Sequence, residues 1–529
     1  IINLDLASGT ALSVQFTGFY ATHELETFRL WNRARNLDEF KEGLKYFDFG
    51  SQNWAYADVE GNIGYFTSGE LPLREDLEAG TVDGAIPPWL IRDGTGTYKH
   101  QWIPEPSRPA DQATPYKILP FSEMPQIVNP PLGFVVNSNN DPIGNTLDNN
   151  PLNQLRPSGG IFYLNYSYDS GFRAGRLTEL IREALSSGDR KVSLSEAERF
   201  QGDVVQLEGR RLVPYILQAY ETAGERGAPR ALARFTQVPR IQWAIDFLRG
   251  WSYNTPTGIP EGFDYDDTAS SLAAPSQAEV RDSVATTIFN VWASRFVQKT
   301  IDAALNNVSP QLPKPSTQFA IKALLNLLDN FDQNKGIGKS GLSFFLTPTQ
   351  GAVTPEAGFT PEQNRDLLIL ESLEEALDLL AGDPFAAAFN HSTDLRDYRW
   401  GKLHRVTFSH VLGGPFNIPP GAGFASYQGG IPTDGALGVV DASSFDVRAS
   451  DAASFTFGGG PARRMVAELA PHGPQAWEVL PGGASGVPGN RHFGDQLRLW
   501  LANGYHPVYM TDHEVKGNAE SYQDFYPVR

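Results

Sequence analysis

The sequence predicts an α+β protein whose two β-rich ends share one sheet system, with a large helical insertion between them. Three observations carry this. Apolar and polar residues alternate in short runs up to about residue 70, and β-type runs return after His391. From about residue 190 to Gly382 the apolar residues recur instead with the 3.6-residue period of helices. No fixed-period repeat or low-complexity tract interrupts this order. The expected division is residues 1–190 for the first part of the core, 191–390 for a helical lobe, and 391–529 for the β-rich part that completes the core.

Taken in order, Ile2, Leu4 and Leu6, a Ser8-Gly9 turn, then Leu12, Val14 and Phe16 predict a hairpin. Leu25 to Trp31 and Leu37 to Phe47 read as helical. Residues 53–59 and 63–66 read as strands joined by Glu60-Gly61-Asn62, with Gly61 where a positive φ is needed. The Pro- and Gly-rich stretch from Leu71 to Val128 is too long for a simple loop and is expected to be a structured excursion. Arg173 to Leu185 is helical, with Leu177, Leu180, Ile181 and Leu185 on one face, and Ser193 with Glu196 predicts a capping box. Helices are then expected over 204–223, 231–251, 283–305, 319–331 and 367–380, with breaks at 256–260 and 336–355. Strands are expected over 403–408, 445–457, 464–469 and 477–480.

Composition excludes several function classes. Of 529 residues, 41% are hydrophobic and 20% charged, as in ordinary soluble domains, and the length calls for more than one lobe. Lys+Arg 43 against Asp+Glu 61 leaves a net charge of −18, which argues against nucleic acid as a partner. No cysteine is present, so disulfides, thiolate metal sites and cysteine nucleophiles are excluded. No apolar run has the length of a membrane span.

The stretch around which the chain is organised is Asn129 to Pro142. Pro130 and Pro131 bar a helix, and Gly133 to Val136 reads as a short buried strand. It ends in Asn137-Ser138-Asn139-Asn140-Asp141-Pro142. Two readings of these amides stand on the residues alone. They cap a loop, because Asn tolerates turn and left-handed conformations, or a rigid strand aims an N–H donor at a developing oxyanion. Other chemistry finds less support. His391, His404, His410, His492 and His506 include no i, i+4 pair of the zinc-protease type, and ordinary hydrogen-bonded roles fit them better. The Gly-x-Ser-x-Gly nucleophile elbow is absent, and Gly458-Gly459-Gly460-Pro461 lacks the Lys-Ser/Thr of a phosphate loop.

Asn53-Trp54-Ala55-Tyr56-Ala57-Asp58 with Gly61-Asn62-Ile63-Gly64-Tyr65 resembles the hairpin signature of the penicillin acylase family of N-terminal nucleophile hydrolases. Leu119-Pro120-Phe121, Met124-Pro125, Val128-Asn129-Pro130 and Gly133 to Asn140 resemble that family's approach to its oxyanion asparagine. Leu403-His404-Arg405, Leu480 to Gly486 and His492-Phe493-Gly494-Asp495-Gln496 resemble its C-terminal signatures, in the family's order. The resemblance implies an αββα sandwich, two antiparallel sheets between helix layers. It implies hydrolysis of a linear amide between an apolar acyl group and a polar amine, as in β-lactam side chains or N-acyl-homoserine lactones. The nucleophile there is a terminal serine freed by self-cleavage, with its own α-amino group as base, chemistry that suits neutral pH. By position Asn139 matches the oxyanion asparagine, Arg176 the arginine that orients it, and Asp148 a ligand of the structural calcium of some members. A periplasmic or secreted location is implied in the same way.

The chain departs from the family at Ile1, which has no nucleophilic atom. The expectation is a later part of the β subunit, with the serine, the rest of that subunit's N-terminal part, the small α subunit and most calcium ligands outside it. The polypeptide alone is then inert. The rival reading is a binding or scaffold protein on the same fold that has lost its nucleophile.

Overall fold

The computed structural model describes residues 1–186, 191–349, 352–354, 356–419, 429–470 and 473–526. The boundary expected at residue 190 and the end of the break at Pro355 lie outside the described residues. The chain divides into two compact units, Ile1–Asp169 with Leu469–Pro474, and Ser170–Glu468 with Gln475–Arg529.

In the first unit Asn3–Asp5 pairs antiparallel with Thr10–Leu12, so the opening hairpin forms as expected. Helices Glu24–Trp31 and Leu37–Leu44 follow, the second capped by the Asn36 side chain, which accepts from the Glu39 N–H. Trp31 stacks on Phe40 with ring centroids 4.7 Å apart, and its edge meets Trp54 on the sheet. That sheet is Gln52–Ala57, Ile63–Ser68 and Gln126–Val128, antiparallel, with Ile63–Ser68 in the middle and Phe66 fully buried. Its third strand closes the excursion from Leu71, which is structured by bridges such as Pro72 to Ile118 and Pro104 to Tyr116.

The second unit is built on the helix Gln277–Val297, buried on nearly every side and therefore without an exposed polar stripe. It packs against Pro361–Ala381 and lies in one apolar core with Leu207–Ala223, Pro239–Arg249 and Thr317–Asp329. The first and the second of these helices carry complete capping boxes, Ser276 with Glu279 and Thr360 with Gln363. The capping box expected at Ser193 with Glu196 also forms. The single helix expected over 231–251 is instead Arg230–Ala233, a 3-10 turn and Pro239–Arg249. Pro239 has no N–H to continue the first helix and opens the second.

The β signal after His391 is weaker than expected. Strand 403–408 shrinks to Arg405–Val406, while Arg464–Ala470, Gly473–Val479 and His506–Val508 form a three-stranded antiparallel sheet. Residues 445–457 make turns and one isolated bridge, at Phe457, in place of a strand. Asp446 accepts the Arg448 N–H, Asp451 those of Ala453 and Ser454, and the Ser454 hydroxyl those of Ser450 and Asp451. Such side-chain caps compete with a ladder and here they win. The α+β class and the antiparallel pairing hold, but among the described residues the strands of the two chain ends enter different small sheets rather than one. Among the described residues no helix is long and apolar enough to cross a membrane.

Candidate active site

The Asn-rich stretch sits in the first unit, just after the strand Gln126–Val128. Gly133 to Val136 is not the ladder-paired strand expected; it runs without regular pairing and only half-buried. Asn129 has φ 47° and its side chain takes the place of a strand neighbour, accepting the Ile63 N–H at 2.9 Å and donating to Asn62 Oδ1. Gly133 follows with φ 75°. Two left-handed residues turn the chain away from the sheet edge, so the ladder stops at Val128.

The amides then cap one another. Asn137 Oδ1 accepts the Asn139 N–H at 3.1 Å, and Asn140 Oδ1 accepts the Ser138 N–H at 2.9 Å. Asn139 is exposed, adopts φ 61°, and its carbonyl accepts the Asp169 N–H at 3.0 Å. Its backbone is thus pinned on both sides. Asn137 Nδ2 reaches Tyr65 Oη, which donates to Asn53 Oδ1 at 2.6 Å, so the turn is tied to the hairpin. Burial pushes the Tyr65 phenol up to about 12, keeping it a neutral donor at working pH. Asp141 closes the turn by accepting the N–H groups of Ile143, Gly144 and Thr146. Tyr65 and Asp141 were not singled out from the sequence. The signal was present in Tyr65 on a strand beside Asn53, and in Asp before Pro as a turn opener.

Arg176 belongs to the second unit, on helix Phe172–Ser186. Its fork is bidentate on Asp203, Nε to Oδ1 at 2.9 Å and Nη2 to Oδ2 at 2.7 Å, with a longer bond from Nη1 to Glu179. The Asp203 hydrogen bond, despite burial, raises its already high pKa. Asn139 and Arg176 therefore fall in different units.

Asp148 is exposed, and its carboxylate accepts the Asn150 N–H at 3.0 Å and the Asn153 amide at 2.6 Å. Among the described residues no three His, Asp or Glu side chains gather as metal ligands would. Of the histidines, His404 is fully buried and donates from Nδ1 to the Phe455 carbonyl, with its pKa lowered to about 4 by burial. His410 donates from Nε2 to the Gly486 carbonyl.

A relative, penicillin G acylase of Escherichia coli, is 22% identical over 484 residues, which is 89% of this chain and 44% of that protein. The chain therefore spans less than half the length of that relative. The structure of a thermostable penicillin G acylase from Alcaligenes faecalis, in an orthorhombic form, superposes with a TM-score of 0.54 at 16% identity, covering all of this chain and 77% of that one. At that identity the likeness establishes the shared fold. The sequence model of the penicillin amidase family matches residues 1–517, through the hairpin at Asn53, the turn at Asn139 and the C-terminal segment at His492 alike. A match of that extent leaves one conclusion: the chain belongs to the penicillin amidase family.

Proposed function

We propose that this chain is the larger part of an amidohydrolase that cleaves a linear amide between an apolar acyl group and a polar amine. Penicillins, cephalosporin side chains and N-acyl-homoserine lactones are the substrate classes. The observation that carries the reading is the family match over residues 1–517. The attacking group is a terminal serine in sequence outside this chain, activated by its own α-amino group. Attack on the amide carbonyl gives a tetrahedral oxyanion, and the Asn139 side-chain amide supplies an N–H to it. An amide donor lowers the barrier when its backbone is fixed before charge develops, and the Asn139 N–H and C=O are both engaged locally. Collapse expels the amine and leaves an acyl-serine ester, which water cleaves. Arg176, on the second unit, is held rigid by Asp203.

The test uses the complete gene product after self-cleavage. An acyl-enzyme trapped from an activated ester and weighed by mass spectrometry should carry one acyl group on the terminal serine. Asn139→Ala should still be processed and acylated, but about 10²–10³-fold more slowly, or ~3–4 kcal/mol of transition-state stabilisation. A processed protein that takes up no acyl group and turns over no acyl amide would instead support a binding or scaffold role.

A further inference from the structure

The second unit carries a cleft of about 600 Å³ that the amidase reading does not use. That volume lies in the range of small-molecule sites. One wall is helix Pro239–Arg249, where Trp243, Asp246 and Phe247 fall on one face by their i, i+3, i+4 spacing. Trp243 is 55% exposed, a large indole face left in contact with water beside the half-buried Phe247. Buried Leu395, at the start of the short 3-10 helix Leu395–Asp397, also lines it. Aromatic walls of this kind bind flat apolar groups.

The charges lining the cleft are not equivalent. Asp394 is consumed by Arg396, which donates to it from its backbone N–H and from Nε and Nη2. Asp246 accepts from Arg249 at 3.4 Å, one turn along its own helix. Arg281, in the first turns of helix Gln277–Val297, is different. Its Nε lies 3.9 Å from Asp282 Oδ1, too far for a hydrogen bond, and the Asp282 oxygens already accept from the Ser252 N–H and hydroxyl. Among the described residues the Arg281 fork donates no hydrogen bond, and its side chain is 49% exposed at the cleft. A planar guanidinium with unused donors next to an indole face selects a planar anion with an aromatic body.

We infer that this cleft binds a small aromatic carboxylate, its ring on Trp243 and Phe247 and its carboxylate on the Arg281 fork. Isothermal titration of the full chain with 2-naphthoate, 2-naphthamide and 2-naphthylmethylamine tests it. The acid should bind at one site, with the amide at least tenfold weaker and the amine weaker still. Arg281→Gln should weaken the acid tenfold or more and leave the amide unchanged. Arg281→Lys, which keeps charge but loses the fork, should fall between. Trp243→Ala should weaken acid and amide together. Equal binding of acid and amide, tighter binding of the amine, absence of saturable binding, or an Arg281→Gln chain that binds the acid as before would each overturn the inference. Should Arg281→Gln fail to fold, the ranking of the three probes on the unmodified chain still decides.

Discussion

Asn139 combines a strained backbone with the proposed donor, and the two can be separated. A non-glycine residue at φ 61° costs about 1 kcal/mol, less for Asn than for most residues. Asn139→Ala removes the amide and increases the strain, whereas Asn139→Gly removes the amide and relieves it. In the processed enzyme both should lower kcat by about 10²–10³. Only Asn139→Ala should also lower the chemical-denaturation midpoint. Asn139→Asp should be as damaging to kcat as either, because it faces the oxyanion with a negative charge. Equal kcat for wild type and Asn139→Gly would remove Asn139 from the mechanism. Asn140→Ala loses the acceptor of the Ser138 N–H and should cost about 1 kcal/mol of stability with a smaller kinetic effect. The amide-rich composition of this stretch was legible in the sequence, but its conformation was not. Gly133 to Val136 has the composition of a strand, while the left-handed Asn129 and the mutual Asn caps are tertiary choices that hydropathy does not encode.

At the scale of elements, long helices were the most legible, because three or more turns of apolar period leave little ambiguity. The hairpin at Asn53 was legible for a different reason, its turn chemistry. Asp58 accepts from the Glu60 N–H, the Asn62 N–H, Asn62 Nδ2 and the Tyr56 hydroxyl, all between 2.9 and 3.0 Å, while Gly61 takes φ 89°. Burial alone would raise the Asp58 carboxyl, but the bonds from Asn62, Tyr56 and Glu60 together outweigh it and the net shift is downward. Asp58→Ala should destabilise the first unit by about 1–3 kcal/mol, since it strips the turn of its acceptor. Hydrogen exchange across residues 52–68 reads this directly; protection equal to wild type would mean the strands set the hairpin without Asp58. The 445–457 segment shows the converse. Phe445, Val447 and Phe457 suggest a strand, yet Asp446, Asp451 and Ser454 each find a nearer partner in their own backbone.

For the whole molecule, several acids of a chain with net charge −18 are buried in the second unit. Asp441 is paired with Arg464 at 2.5 Å. Asp264 accepts from the Thr257 N–H and hydroxyl, and burial pushes it up to about 7. Asp434 has Oδ2 buried with no hydrogen-bond partner, and burial, reinforced by Asp264 and Asp441, holds its carboxyl well above the usual range. A carboxyl whose folded pKa is raised binds more protons folded than unfolded. Its contribution to stability is therefore full below about pH 4 and is lost as pH rises through the folded value. His404 works in the opposite sense: lowered to about 4, it costs stability as pH falls from about 6.5. The pH profile of the wild type mixes these terms, so the informative quantity is a difference. Asp434→Asn removes the charge with little change of shape, and urea denaturation of both proteins at pH 5 and pH 8 should show the variant losing less stability on going to pH 8. The gap between the two proteins must widen with pH, because only the wild type must either hold a proton against a rising pH or bury a charge beside Asp264 and Asp441. A gap that stays constant between those two pH values would mean that Asp434 is ionised throughout and that Arg464 neutralises it despite its pairing with Asp441.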